Sequence, residues 1–225
     1  MCNKKLLSEK EVNDILGPYK LAIEKCIDLF PRKRGISITN HIYIVSAGNN
    51  VYNELVKVNA RGKCKKGNGY IYFRDDIEIT DHLLVHEIIH RLSRNLKIVR
   101  KCPPLQWVEG VDFSPKSHHM NEVITEYITS LITGKNEENN PYTIGLEYIQ
   151  HFGDKVGVHN MIQAYFRGNV RFFKRELGRD YKIFSETFAT LIVCYTQCCS
   201  TNFHESDKRN FTSAKIVLQS ILDIL

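Results

Sequence analysis

The pentapeptide His86-Glu87-Ile88-Ile89-His90 constrains the fold of this chain more than any other sequence feature. Residues i and i+4 project from one face of an α-helix, so the two imidazoles can reach a common point if this segment is helical. The flanking sequence predicts such a helix, because apolar residues recur at helical spacing from Leu83 to Leu92 and Thr80 or Asp81 can cap its start. We expect the helix to end near Ser93 to Asn95.

The HExxH spacing is typical of a metal site that contains its own general base. Glu87 lies about 100° around the helix from His86, so its carboxylate can approach a metal-bound water instead of the metal itself. The competing interpretation is a pair of hydrogen-bonded histidines on a helix surface, which needs no metal. We prefer the metal site because Leu84, Ile88 and Leu92 can bury the opposite side of the helix.

A catalytic zinc ion generally uses three protein ligands and one open position, so a third donor has to come from another segment. Glu122 is the best candidate, because it lies on a second predicted helix, His119 to Ile132, with Glu126 one turn further along the same face. We assign Glu122 to the metal and Glu126 to the hydrogen bond that orients a ligand imidazole. Two solvated helix glutamates are the alternative.

HExxH followed on a second helix by Asn121-Glu122-Val123-Ile124-Thr125-Glu126 resembles the gluzincin branch of zinc metallopeptidases, to which thermolysin belongs. The resemblance implies an α+β, zincin-like fold, a Zn2+ cofactor and hydrolysis of peptide bonds in a protein or peptide substrate. The implied roles are metal ligation by His86, His90 and Glu122, general-base catalysis by Glu87, and support of a ligand histidine by Glu126.

The resemblance extends from Tyr70 to Leu131 and also implies an edge strand above the HExxH helix. In the family that strand pairs with an extended substrate, and the aromatic run Tyr70 to Phe73 occupies its place here. The segment between His90 and Glu122 is longer than in thermolysin. This departure makes Glu186, on a later helix, the reserve candidate for the third ligand.

The residue that would stabilise an oxyanion is not selected by spacing, and for each chemically able side chain a packing or surface role is the favoured interpretation. These side chains are Tyr142, Tyr148, His151, His159 and Tyr165. His118 and His119 fit a helix cap or first turn as well as they fit a site. His82 could share the face of His86, although the neighbouring Asp81 favours a solvated role.

The rest of the sequence predicts a single α+β domain over residues 1–225, with an N-terminal α/β lobe over about 1–95 and a mainly helical lobe over about 115–225. Ser8 and Glu11 have capping-box spacing, and Gly17-Pro18 interrupts the helix that follows. Strand is expected at Ile36 to Ile38 and at Ile42 to Val45.

Further elements are expected from turn residues and apolar periodicity. Val51 to Val58 fits helix or strand, and a basic, glycine-containing loop at Arg61 to Lys66 precedes the aromatic run. The segment from Lys97 to Phe113 fits a long loop or a hairpin. Later helices are expected near Tyr142 to Phe152, Val158 to Phe166, Tyr181 to Cys199 and Ser206 to Leu225.

The cysteines and the N-terminus bear on the compartment. The chain has seven cysteines, an odd number without CxxC spacing, which argues against a disulfide framework and a structural zinc site. The first residues lack the apolar core of a secretory signal, and no stretch is long enough for a membrane span. We expect a cytoplasmic protein, or one secreted without a cleavable signal peptide into a host cytosol as a bacterial effector.

Three functions compete on these observations. The first is a zinc-dependent endopeptidase of narrow substrate choice, and the second is a catalytically inactive zincin-fold binding or sensor protein. The third is a nucleic-acid-binding module, suggested by the net charge of +6. Nucleic acid is the less favoured partner because the basic residues form no aromatic-interleaved stripe.

Overall fold

A computed structural model of the chain describes residues 3–28, 36–65, 67–98, 105–108, 110, 118–137, 140–199 and 204–225. The protein is α+β and mostly helical, as the sequence predicts. Two compact units divide the chain. The first comprises residues 1–109 and 129–135, and the second comprises residues 110–128 and 136–225.

The helices of the described residues are α1 (Glu9–Leu16), α2 (Tyr19–Asp28), α3 (Asn50–Lys57), α4 (Asp81–Ser93), α5 (His118–Thr133), α6 (Leu146–Val156), α7 (Val158–Phe166), α8 (Val170–Leu177), α9 (Tyr181–Cys198) and α10 (Glu205–Ile224). The strands are β1 (Lys4–Leu6), β2 (Ile42–Val45), β3 (Gly62–Cys64), β4 (Ile71–Arg74), β5 (Asn95–Ile98) and β6 (Leu105–Val108). Two 3₁₀ turns, Pro141–Gly145 and Gly178–Asp180, precede α6 and α9.

A four-stranded sheet in the order β1-β2-β4-β3 organises the first unit. The pair β2 and β4 is parallel, and each end strand is antiparallel to its neighbour. Helix α3 covers part of one face, where Val45, Leu55 and Tyr72 form a buried cluster. Helix α4 lies at the other face, so the sheet is the support on which the HExxH helix rests.

Several sequence predictions in the first unit are confirmed. Ser8 forms the predicted capping box with Glu11, and α1 ends before Gly17. Thr80 caps α4, because its side chain accepts a hydrogen bond from the N–H of Leu83. The hairpin alternative holds for the segment after α4, since β5 and β6 pair in antiparallel register.

Two strand predictions are wrong. Ile36 to Ile38 is not a strand: the carbonyl of Ser37 accepts a hydrogen bond from Arg91, and its hydroxyl accepts one from the N–H of Asn40. The aromatic strand β4 is not at the edge of the sheet, because β3 pairs with its outer side. Gly62–Cys64, within a segment expected to be a loop, therefore forms the end strand of the described sheet.

The second unit is helical and packs around phenylalanine rings. Phe152 stacks against Phe173 with centroids 5.7 Å apart, and Phe184 meets Phe188 edge-on at 5.3 Å. Helix α8, which the sequence interpretation did not include, begins at Asn169, whose side chain accepts a hydrogen bond from the N–H of Phe172. No helix of the described residues has the length and apolar character needed to cross a bilayer.

None of the four cysteines whose side chains are described forms a disulfide. Cys64 and Cys194 are buried, whereas Cys199 is exposed. The other three cysteines lie outside the described side chains.

Candidate metal centre

Helix α4 is buried along almost its whole length, which places its polar residues inside the protein. His86, Glu87 and His90 have 8%, 5% and 6% of their surface exposed. Buried polar groups need hydrogen-bond partners, ions or ordered water, because the free-energy cost of removing them from bulk water is otherwise not offset. The two histidines therefore do not lie on an exposed helix surface, and a buried hydrogen-bonded pair is the alternative to a metal site.

The rings of His86 and His90 converge. Their Nε2 atoms are 3.1 Å apart, with the ring planes at 69°. Either one nitrogen donates a hydrogen bond to the other, or both present lone pairs to a cation. A zinc ion about 2.0–2.1 Å from each of two nitrogens in tetrahedral geometry would hold them about 3.3 Å apart. The observed 3.1 Å is close to that value and is also an ordinary hydrogen-bond distance, so the geometry is compatible with both arrangements.

Glu122 is the residue that completes a group of three possible ligands. One donor atom from each of His86, His90 and Glu122 lies within 4.8 Å of the other two. Glu122 has 19% of its side chain exposed, and one of its carboxylate oxygens is 3.6 Å from Nδ1 of His118. Two imidazoles and a carboxylate are a donor set that zinc takes in catalytic sites. The group His86, His90 and Glu122 can therefore hold a metal ion.

Helix α5, which carries Glu122, has buried polar residues on the side that faces the protein interior. Thr125 is fully buried, and its hydroxyl is 2.6 Å from that of Tyr165 on α7. Glu126 is also fully buried one turn after Glu122. The alternative of two solvated glutamates is therefore wrong for Glu126, while its role in orienting an imidazole stays a prediction.

Glu87 lies against the end strand of the sheet. A Cβ atom added to Gly62 of β3 would be 3.1 Å from Oε1 of Glu87 and 2.7 Å from the Phe73 ring. Only a residue without a side chain lets the strand backbone come this close to the carboxylate. The end strand β3 thus lies next to Glu87 together with the Phe73 ring, and the sequence interpretation missed the part played by Gly62.

Arg91, next to His90, is a second residue that sequence reasoning missed. Its guanidinium is 5% exposed and donates hydrogen bonds to the carbonyls of Gly69, Ser37 and His41 at 2.8, 3.0 and 3.2 Å. Burial lowers its pKa to about 10, so it is still a cation at neutral pH. Arg91 thereby ties α4 to the loops that precede β2 and β4. An arginine directly after HExxH on a helix with apolar neighbours was the available signal.

Other expectations for the site have mixed outcomes. His82 does not play the expected solvated role, because it is 3% exposed and its Nδ1 is 3.1 Å from the hydroxyl of Thr133. Glu186 is half-buried and is not part of the metal-binding group of the described residues. Among the side chains chemically able to stabilise an oxyanion, Tyr165 has its hydroxyl 2.6 Å from that of Thr125, whereas His159 is exposed.

His119, on α5, has a partly buried imidazole with a lowered pKa. Its Nδ1 atom is buried and has no hydrogen-bond partner among the described residues. Burial, followed by the neighbouring His118, lowers the pKa of His119, so the neutral imidazole is favoured. The ring lies 6.2 Å from that of Tyr142.

Comparisons of this chain with protein-family models, with curated proteins and with solved structures give no match in any of the three.

Proposed function

We propose that this protein is a zinc-dependent endopeptidase in which His86, His90 and Glu122 bind the metal and Glu87 is the general base. The observation that carries the proposal is the convergence of the His86 and His90 Nε2 atoms at 3.1 Å on the helix that also holds Glu87 beneath a strand backbone. A bound zinc ion would acidify a water molecule and polarise a carbonyl group. The gluzincin-like order of the motifs supports the same assignment.

Glu87 is positioned to move a proton. Its carboxylate is buried one residue from His86, so it can accept a proton from a water near the histidine pair and pass it to the leaving amine. Its burial excludes bulk water from the carboxylate. Loss of a general base typically lowers a rate by about 100- to 10,000-fold. Glu126 is proposed to hold a ligand imidazole in the tautomer that binds metal.

Zinc content and cleavage, measured on the same samples, test the proposal. Glu87→Gln should keep one zinc ion per chain and lose cleavage, whereas Glu122→Gln should weaken zinc binding by about 10- to 100-fold or more. Glu186→Gln is the matched control and should change neither. N-terminal labelling of a lysate exposed to the protein and to Glu87→Gln identifies cleaved substrates.

The possible outcomes separate the competing functions. Stoichiometric zinc that depends on His86 and Glu122, with no cleavage that depends on Glu87, would favour a sensor or binding protein on a zincin-like scaffold. Zinc binding that survives Glu122→Gln and is lost in Glu186→Gln would replace the third ligand. A protein that binds no zinc at all would refute the proposal.

A further inference from the structure

We infer that the sheet face opposite α4 binds single-stranded nucleic acid, with unpaired bases stacked on aromatic rings and phosphates held by lysines at either side. The inference goes beyond the proposed peptidase function and does not depend on it, because it concerns the other face of the sheet. The sequence disfavoured this partner, since rings and cations are not interleaved along the chain. The fold brings them together across the sheet.

Four aromatic rings form a two-by-two array on this face, which we call the aromatic platform: His41, Tyr43, Tyr70 and Tyr72. Strands β2 and β4 are parallel, with Tyr43 in register with Tyr72. The Tyr43 ring stacks on Tyr72 at a centroid distance of 5.4 Å, and the His41 ring stacks on Tyr70 at 4.4 Å. Tyr43 and Tyr70 are 5.6 Å apart, so the two stacked pairs form one continuous array.

Helix α3 covers only one end of the platform. Of the four rings, only Tyr72 belongs to the buried part of the cluster beneath α3. His41 is exposed, and Tyr43 and Tyr70 are half-buried. Leu6 of β1, in register with Tyr43, has 54% of its surface exposed. The end of the platform at His41 is therefore open to a ligand.

Lys4 flanks the platform on the β1 side. Its Nζ atom lies 3.5 Å from the centroid of the Tyr43 ring and 5.9 Å from that of Tyr70. A cation–π contact at an exposed site is weak. The ammonium group can therefore move to a phosphate and leave the face of the ring to a base.

Lys63 and Lys65 flank the platform on the β3 side. Lys63 is in register with Tyr72, and the N–H of Lys65 donates to the carbonyl of Tyr70 at 2.8 Å. Both side chains are exposed, and residues two apart along a strand point to one face. Glu54 of α3 is 3.1 Å from Nζ of Lys63, and its pKa is lowered first by this hydrogen bond and further by the charges of Lys63 and Lys65. One exposed carboxylate beside two lysines leaves a positive balance on this side.

Rings between two rows of cations match a single nucleic-acid strand better than an acidic peptide. Strands β1 and β3 are three inter-strand steps apart, which separates the two rows by about 14 Å. A single strand that crosses the sheet can place phosphates at both rows and stack bases on the rings between them. An acidic peptide would use the lysines alone and leave the ring faces unoccupied.

Fluorescence anisotropy of labelled probes with the full chain tests the inference. The probes are a single-stranded DNA and a single-stranded RNA of about 12 nucleotides, an abasic strand of the same length and charge, and a polyglutamate peptide of similar charge. We expect the DNA and RNA to bind about tenfold tighter than the abasic strand, because only they have bases to stack. The logarithm of the association constant should fall with that of the salt concentration with a slope of about −2, since three lysines each release about 0.7 counterion.

Variants of the rings test the stacking. Tyr43→Leu combined with Tyr70→Leu should weaken binding of the DNA and RNA about tenfold and leave the abasic strand unchanged, because leucine keeps apolar bulk without a flat ring. Tyr43→Phe combined with Tyr70→Phe keeps both rings and should bind like the starting protein. Tyr19→Leu is the matched control, because Tyr19 is a half-buried tyrosine of α2 outside the platform.

His41→Asn keeps the stacking test valid if the leucine substitutions prevent folding, which circular dichroism would show. His41 has a φ of 58°, a conformation that asparagine tolerates, so this change removes an exposed ring without straining the backbone. We expect about fivefold weaker binding of the DNA and RNA.

Replacement of the three flanking lysines by glutamine tests the phosphate contacts. The combined variant of Lys4, Lys63 and Lys65 should reduce the salt slope to near zero. The matched control replaces three exposed lysines of the second unit by glutamine and should keep the slope: Lys155, Lys182 and Lys208.

Equal affinity for the abasic strand would overturn the inference, because the surface would then attract charge alone. Polyglutamate that binds as tightly as the DNA would overturn it in favour of an acidic protein partner. A salt slope that falls equally in the control lysine variant would also refute it, as would no binding of any strand at low salt. Oligonucleotide binding is measured without zinc or cleavage, so this inference and the peptidase proposal can fail separately.

Discussion

Adding one methyl group at Gly62 tests the packing of β3 against the candidate general base, Glu87. In Gly62→Ala the new Cβ would lie 2.7 and 2.8 Å from two atoms of the Phe73 ring and 3.1 Å from Oε1 of Glu87. Contacts below 3.0 Å force a shift of the ring or the strand. Overpacking of a filled interior costs about 1–3 kcal/mol, and the reduced freedom of the unfolded chain returns about 0.4–1 kcal/mol. We expect a net loss of about 1–2 kcal/mol in the free energy of unfolding.

Gly67→Ala is the matched control for this substitution. Gly67 has nothing within 4 Å of an added Cβ, and its φ is not in the left-handed region. The control should therefore be as stable as the starting protein or more stable by about 0.4–1 kcal/mol. Urea unfolding followed by circular dichroism measures both variants. If Gly62→Ala matched Gly67→Ala in stability and kept full Glu87-dependent cleavage, the close packing of β3 over the carboxylate would be refuted.

Three further predictions concern the metal, pH and α5. Zinc at one hundred times its Kd should raise the unfolding free energy by about 2.7 kcal/mol, and His86→Ala should abolish the rise in thermal shift assays. Burial opposes ionisation of Asp81, yet hydrogen bonds from Lys135 and the His82 N–H outweigh it and lower the pKa of Asp81. The ionised carboxylate therefore stabilises the fold above the unfolded pKa of about 3.9, and this stabilisation is lost as the pH falls through the lower, folded pKa. Asp81→Asn should cost less than about 1 kcal/mol at pH 7 and nothing at pH 2; an equal cost at both pH values would contradict this. Thr125→Val removes the 2.6 Å hydrogen bond to Tyr165 and should cost about 1–3 kcal/mol, with non-additive loss in the double variant with Tyr165→Phe.

The two motif helices were predictable because their signals are local. HExxH, the Thr80 cap and the apolar spacing all lie within one helix, and α4 runs from Asp81 to Ser93 as expected. The spacing of Glu122 and Glu126 likewise places α5 within a residue of its predicted bounds. The same spacing nominated Glu122 as the third ligand, and the resemblance to a family implied the same role.

The end strand was not predictable from its own residues. Arg61 to Lys66 has the lysines and glycine of a loop, yet Gly62–Cys64 within it forms a strand because β4 offers a hydrogen-bonding partner. The same strand then places the backbone of Gly62 next to Glu87. Helix α8 was also not predicted, because its several basic residues make the segment look exposed, although Phe172 and Phe173 are buried in the structure.

The sequence by itself determined the chemistry that this protein can offer, because i and i+4 spacing on a capped helix puts His86 and His90 on one face whatever surrounds them. Tertiary structure decided how deeply that face is buried, which strand lies over Glu87, and that Arg91 fastens the helix to three loop carbonyls. Those features depend on residues far apart in the chain. Their contacts form only when the sheet and helix pack together, and no local pattern records them.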